Sequence, residues 1–447
     1  MSNYTGPGVD IKEVANANPN TVQSGPRRLG IAGKGSSTIK VENIEVLKGV
    51  AGGTDTITGY TAAQVSSVVG VGSRPGLYDY KLTTDYTVTD NTIVWSPSGA
   101  EPATDSIYYV TIMKVKDSSY YEPMNLTSLD DVRAIFGSEL DNGVVGEITL
   151  AAKMAFNNGA QEVLCVQQTA DTTAAAEAAI DKLETEDLDV LVAPGMCTTT
   201  LQNYIFGHCQ RMSSETEKKD RIYIAGPTTL EATVEDIRNA AIGFRNDIVT
   251  LIAPAKIDVV LTDATCMTDI TTTVSSAYAG AAIAGIICNP SYDEAEPITR
   301  KNLVSIEDFN GVKYKNSEMN DLGSNGVTVL ENINGTIRVR HALTTSIANV
   351  NEKELQVKII RNQQKKDLRT LFEPYIGTKY ITNYTNALLS SALDGFCKQK
   401  VNDNVYVEYK DISVRQSSLD PRIALISYSF KPVFTLTWIR TTFSLYF

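Results

Sequence analysis

Hydrophobic positions change their period along the chain, and each change predicts a different kind of element. Between about residues 126 and 300 the apolar runs EVLCVQ, LDVLVAPG, RIYIAGP, IVTLIAP and IDVVLT recur, with helical patterns such as TTAAAEAAIDKLE and VEDIRNAAIGF between them. Buried strands alternating with amphipathic helices predict a mostly parallel sheet covered on both faces. From about 45 to 125 the texture is instead Thr, Tyr, Val and Gly, with DYKLTTDYTVTDNTIVWSPSG followed by DSIYYVTIMKVK. Short alternating runs broken by turn residues predict a small all-β unit built of hairpins. From 300 to 345 the stretch VTVLENINGTIRVRHAL, with Asn-Gly at 325–326 and 334–335, predicts short strands and tight turns. Two helices follow, NEKELQVKIIRNQQKKDLRTLFEP and NYTNALLSSALDGFCKQK, and then two strands, VYVEYKDISV and IALISYSF.

The chain closes on PVFTLTWIRTTFSLYF, Pro432 to Phe447, a β-branched and aromatic run with no turn residue after Pro432. As one strand it would reach roughly 50 Å, several times the usual length, and such an edge needs a cover. At the other end an extended arm, TGPGVDIKEV, alternates Val9, Ile11 and Val14 with charges, and a short strand is expected around Leu29 to Ala32.

Composition narrows the function. The 447 residues exceed one hydrophobic core, and a net charge of −12 argues against a general nucleic-acid or anionic-membrane binder. The six cysteines form no C-x-x-C pair and read as buried thiols of a reducing compartment. No signal peptide is expected from MSNYTGPGVDIKEV, and the apolar run Ala277 to Cys288 is too short to cross a bilayer.

Catalytic signals are poor. GIAGKGSST has Gly35 where a phosphate loop needs Ser or Thr after Lys34, and GVGSRPG has the wrong spacing for a dinucleotide loop. His208 and His341 stand far apart without a ligand motif, and no G-x-S-x-G elbow is present. The acidic stretch YDEAEP lacks a Ca²⁺-loop spacing and reads as a solvated loop. Asp189, Asp258 and Asp263 lie near strand ends but without a partner motif. No cofactor or metal is therefore expected.

One charge pattern is distinct. Lys358, Arg361, Lys365 and Arg369 fall on one face of the first long helix, joined by Lys366, beside an apolar stripe of Val357, Ile360, Leu368 and Leu371. The bland reading is a solvated face, and the sharper one a dock for an acidic partner.

Several segments together resemble the tail sheath proteins of contractile phage tails and phage-tail-like particles. They are the arm from Tyr4 through Gly6, Pro7, Gly8 and Val9 to Lys12-Glu13-Val14, then AAKMAFNNGAQEVLCVQ, NDLGSNGVTVLENINGTIRVRHALTT, LFEPYIG and KPVFTLTWIRTTFSLYF. Ala160 replaces a family Gly, Arg340-His341 a Trp-Gly pair, and Tyr375 departs from the F-E-P-N segment. The resemblance implies a multidomain α+β / α/β fold. Its parts would be an inner α+β domain made by both chain ends (1–40 plus 345–447), a small all-β outer domain (41–125) and an α/β middle domain with a mostly parallel sheet (126–344). It implies a structural subunit, not an enzyme, polymerising with itself into a helical tube of six-fold rings around an inner tail tube protein. Baseplate and tail terminator proteins would be further partners, with no direct nucleic-acid contact and no membrane insertion. Assembly would take place in the bacterial host cytoplasm, and contraction would drive the tube through a target envelope. The inter-subunit arms would use Gly6, Pro7, Gly8, Val9, Ile11 and Val14 at one end and Phe434, Leu436, Trp438, Ile439, Phe443 and Leu445 at the other, adding strands to a neighbour's sheet. Lys358, Arg361, Lys365, Lys366 and Arg369 are the residues expected to face the tube. The alternative is a soluble α/β enzyme, nucleotide-binding or hydrolytic, without a recognisable site motif.

Overall fold

The computed structural model describes residues 25–264, 266–437 and 439–443. The arm positions Gly6, Pro7, Gly8, Val9, Ile11, Val14, Trp438 and Leu445 lie outside the described residues.

Eight strands form one sheet in the order 336–341, 327–333, 249–253, 222–225, 190–192, 29–33, 163–167 and 124–126. The six inner strands are parallel, and an antiparallel strand closes each edge. Their uninterrupted apolar sequences follow from coverage on both sides. Ile222 and Ile224 pack in a layer with helices Glu147–Asn157 and Ala277–Ile287, and Tyr223 and Ala225 in the opposite layer with helices Thr199–Met212 and Val234–Phe244. The small residues of Ala277–Ile287 serve close approach: a Cβ on Gly285 would stand 2.3 Å from the Ala155 carbonyl oxygen. At the sheet edge Asn334 and Gly335, both with positive φ, turn Val327–Ile333 into Thr336–His341.

Two expectations are corrected here. The run IDVVLT is not a sheet strand: Lys256–Thr262 pairs antiparallel with Asp269–Ser275 in a separate hairpin. The strand Leu29–Gly33 does not belong with the chain ends but sits inside the large sheet, between Val163–Gln167 and Val190–Val192. The all-β region runs from Thr38 to Val115 as two three-stranded sheets. Its core is Trp95, Tyr108 and Tyr86, and the buried Asp55 accepts from Trp95 Nε1 at 2.7 Å and from the Tyr108 hydroxyl at 3.1 Å.

The C-terminal unit consists of helices Leu355–Phe372 and Asn383–Asn402 and a hairpin of Tyr406–Gln416 with Ala424–Pro432. Among the described residues no helix is long and apolar enough to cross a membrane.

Candidate assembly interface in the C-terminal unit

The basic face of Leu355–Phe372 is turned toward the chain's own sheet. Lys358 and Arg361 reach Asp247 at 3.2 and 2.9 Å, Lys365 and Arg369 reach Asp220 at 2.9 and 3.0 Å, and Lys366 lies 3.0 Å from both Asp187 and Asp189. Asp247, Asp220 and Asp189 each stand just before the amino end of a neighbouring parallel strand, Val249–Ala253, Ile222–Ala225 and Val190–Val192. The match is geometric. Two strand spacings are roughly 10 Å, and the eight residue steps from 358 to 366 rise about 12 Å along a helix, so the basic stripe meets the row of acids as it crosses the strands. Burial works against the Lys366 ammonium, but Asp189 and Asp187 outweigh it and hold its pKa above the ordinary lysine value. These five side chains, expected to face an inner tube, each pair with carboxylates of the same chain. Asp189 also lies at the amino end of its strand, opposite to where α/β enzymes place catalytic groups.

A second buried network ties the two long helices to the loop at 292–297. Lys400 pairs with Glu294 and, at 2.9 Å, with Asp367. Burial pushes the Glu294 carboxyl above its ordinary pKa, despite the ammonium beside it. The YDEAEP stretch is therefore a tether for the C-terminal unit and not a solvated loop: Tyr292 and Glu294 are both buried, and Gln356 donates to the Ala295 carbonyl.

The hairpin lies on these helices. Ile412, Val414, Ala424, Ile426 and Tyr428 pack on Leu368, Leu371, Leu389, Leu393 and Phe396, but they stay only half-buried. Among the described residues each hairpin strand has one edge without a partner. A two-stranded sheet is marginal alone. The chain leaves the hairpin at Pro432. Val433 N donates to the Val405 carbonyl at 3.1 Å and the Thr435 hydroxyl to Gln356 Oε1 at 3.1 Å. Residues 433–437 and 439–443 carry no strand pairing among the described residues, and Phe434, Leu436, Ile439 and Phe443 are exposed.

Comparison with known proteins gives likenesses that extend over most of this architecture. The chain is 24% identical over 396 residues to the tail sheath protein of Mycobacterium phage Bxz1, which covers 82% of this chain and 66% of that relative. It superposes on a subunit of the contracted helical sheath of the anti-feeding prophage with a TM-score of 0.62, at 12% identity and 99% coverage of both chains. The chain has the fold of a contractile tail sheath protein. The contracted sheath complex of the extracellular contractile injection system PVC is similar too, with a TM-score of 0.59, 12% identity, and 99% of this chain and 98% of that one covered. Residues 29–145 also match a family model described as a domain of unknown function (DUF4815).

This sheath fold contains a crevice where other α/β proteins bind ligands, at the point where strand order reverses between Leu29–Gly33 and Val190–Val192. Here Glu147 fills it. Its carboxylate accepts from Lys34 N at 2.9 Å, and a Cβ on Gly195 would come within 1.9 Å of its Oε2. Burial raises the pKa of Glu147, and Lys34 Nζ is also held by Asp171 at 2.8 Å, so the phosphate-loop-like segment is neutralised internally. His341 pairs with Glu354 at 2.9 Å. His208 takes a hydrogen bond from Arg221, and burial with the charges of Arg221 and Arg211 lowers its pKa to about 3. Asp181, Glu184 and His208 come within 4.8 Å of one another, but Arg211 bridges the two carboxylates, so positive charge already occupies that place.

Proposed function

We propose that this chain is the sheath subunit of a contractile tail or tail-like injection particle, and that it polymerises by lending its terminal segment to the hairpin of a neighbouring copy. The observation that carries the reading is the stretch 433–437 and 439–443, where Phe434, Leu436, Ile439 and Phe443 are exposed and no strand pairing is made among the described residues, beside a hairpin whose strands each keep an open edge among those residues. A contact in which one surface meets a different surface of the next copy propagates without closing on a pair, as a helical tube requires. The partners are then other copies of the chain, an inner tube protein, and baseplate and terminator proteins. The role is mechanical. Free energy stored in an extended lattice is released as rigid bodies rotate into closer packing, while the shared strands keep neighbours joined. Within each subunit the Lys400 network and the row of ion pairs along Leu355–Phe372 make the C-terminal unit and the large sheet move together.

The test is microscopy of the purified chain, alone and co-expressed with a tube protein. Rings or cylinders are expected. Compact monodisperse particles under both conditions would overturn the reading in favour of a soluble enzyme.

A further inference from the structure

Lys48 follows the strand Thr38–Leu47 and sends its side chain into the core of the all-β unit, where it is fully buried. Its ammonium donates to the Val50 carbonyl at 2.6 Å, and lies 3.3 Å from Glu101 Oε2 and 3.9 Å from Asp55 Oδ2. The Trp95 ring centre is 5.7 Å away. Asp55 is buried in the same core, on the strand Thr54–Thr56, which belongs to the other of the two three-stranded sheets. Trp95 Nε1 and the Tyr108 hydroxyl both donate to its Oδ2, and Gly49 N donates to its Oδ1 at 2.8 Å. Glu101 is set nearer the surface, with its side chain 25% exposed and Oε2 accepting from Gly52 N at 2.9 Å. Taking an ammonium and a carboxylate out of water is costly, and at 3.9 Å the Lys48–Asp55 pair is too long for a hydrogen bond that would offset it. The same placement suits another chemistry. An amine held beside a carboxyl group gains the effective concentration that amide formation lacks in water, and donors aimed at one carboxyl oxygen stabilise the oxyanion that forms there.

We propose that Lys48 and Asp55 condense into an intramolecular amide, with Glu101 relaying the protons. The Lys48 ammonium passes one proton to Glu101, and the free amine attacks Cγ of Asp55. Attack needs the nitrogen at about 3–3.5 Å from Cγ, a small advance for a flexible four-carbon stem. As the C–N bond forms, negative charge gathers on Oδ2 against Trp95 Nε1 and the Tyr108 hydroxyl. The nitrogen then gives up a second proton. Both protons end on Oδ1, which departs as water when its bond to Cγ breaks. One ammonium and one carboxylate thus become one secondary amide and one water, with no change in total charge and no oxidant or co-reactant. The exposed side of Glu101 gives the water a way out. The product removes two charges from an aromatic core and ties the end of Thr38–Leu47 to Thr54–Thr56, so that the two sheets of the unit become covalently joined.

The experiment is intact-mass spectrometry of the purified full chain under denaturing conditions, followed by tryptic mapping. The chain should be lighter than its sequence by one water, and the loss should map to the peptide 41–81, left uncut after Lys48. A folded chain in which that peptide is cut after Lys48 and carries its full mass overturns the proposal. Lys48→Arg should abolish the loss. A water loss in 41–81 that survives Lys48→Arg is cyclisation of an aspartate and overturns the proposal as well. Asp55→Asn keeps the shape of the core and should lose ammonia in place of water. It decides the matter if Lys48→Arg does not fold, since a folded Asp55→Asn chain of full mass overturns the proposal. Glu101→Gln, checked for folding by circular dichroism, should form the amide about a hundredfold more slowly. An unchanged rate overturns the relay assigned to Glu101.

Discussion

Lys366 and Asp189 meet at 3.0 Å where the long helix Leu355–Phe372 crosses the amino end of Val190–Val192, and the contact joins the C-terminal unit to the large sheet. It is one rung of a row in which acids ahead of three neighbouring strands meet a basic stripe on a single helix face. Such a row fixes the orientation of the C-terminal unit on the large sheet.

The rung at Asp220 is the most exacting, because this fully buried carboxylate serves both Lys365 and Arg369. Asp220→Ala removes the carboxylate that both cations share at a buried joint and should cost about 3 kcal/mol. Denaturant unfolding measures the loss. Pairing the change with Arg369→Met should recover part of it, and a fully additive double mutant would show that the pair is not coupled.

Lys400 holds two acids, Glu294 and Asp367, between the long helices. Lys400→Met should destabilise by about 3–5 kcal/mol near neutral pH. The deficit should shrink on acidification. Glu294 already has a raised pKa, and without its ammonium the native state binds protons more readily than the unfolded chain, so stability rises as pH falls. A deficit that stays constant between neutral and mildly acidic pH would contradict this.

Sequence legibility had a physical pattern. EVLCVQ, LDVLVAPG, RIYIAGP and IVTLIAP were readable as sheet strands because coverage on both sides removes alternation. In IDVVLT, Ile257, Val259 and Leu261 alternate with Asp258, Val260 and Thr262, a period-2 signal of one-sided coverage that points to the hairpin it forms. The basic stripe of Leu355–Phe372 was visible, but its partners were not. Asp187, Asp189, Asp220 and Asp247 lie more than a hundred residues upstream, and only the strand order brings them into a row. Glu294 gave no local sign of burial, since its partner Lys400 is remote in sequence. The hairpin of Tyr406–Gln416 with Ala424–Pro432 was legible because alternation is a local property.

Lys116 sits where the all-β insertion rejoins the large sheet, buried, with its ammonium on Gln167 Oε1 at 2.5 Å and over the Phe136 ring. Burial lowers its pKa to about 8. The unfolded chain therefore binds this proton more tightly, and the native state gains stability as pH rises from about 8 toward the ordinary lysine value. Lys116→Met should stabilise by about 1–3 kcal/mol at neutral pH and remove that rise. Unfolding of both proteins between neutral and alkaline pH gives the comparison, and an unchanged pH profile in the variant would contradict it.

Gly326 precedes Val327–Ile333 with φ of 81°, and a Cβ there would stand 2.4 Å from the Thr344 carbonyl oxygen. Gly326→Ala should cost about 1–3 kcal/mol through backbone strain and displacement of the edge strand. Thermal unfolding tests it. A neutral result would mean that the turn relaxes freely.

The most direct measurement compares the full chain with one ending at Pro432, by circular dichroism, thermal unfolding and negative-stain microscopy under the same conditions. The shortened chain should melt as a folded protein with unchanged secondary structure and form no rings or cylinders, while the full chain polymerises. Cylinders built by the shortened chain would contradict the assignment of the terminal segment as the link between subunits.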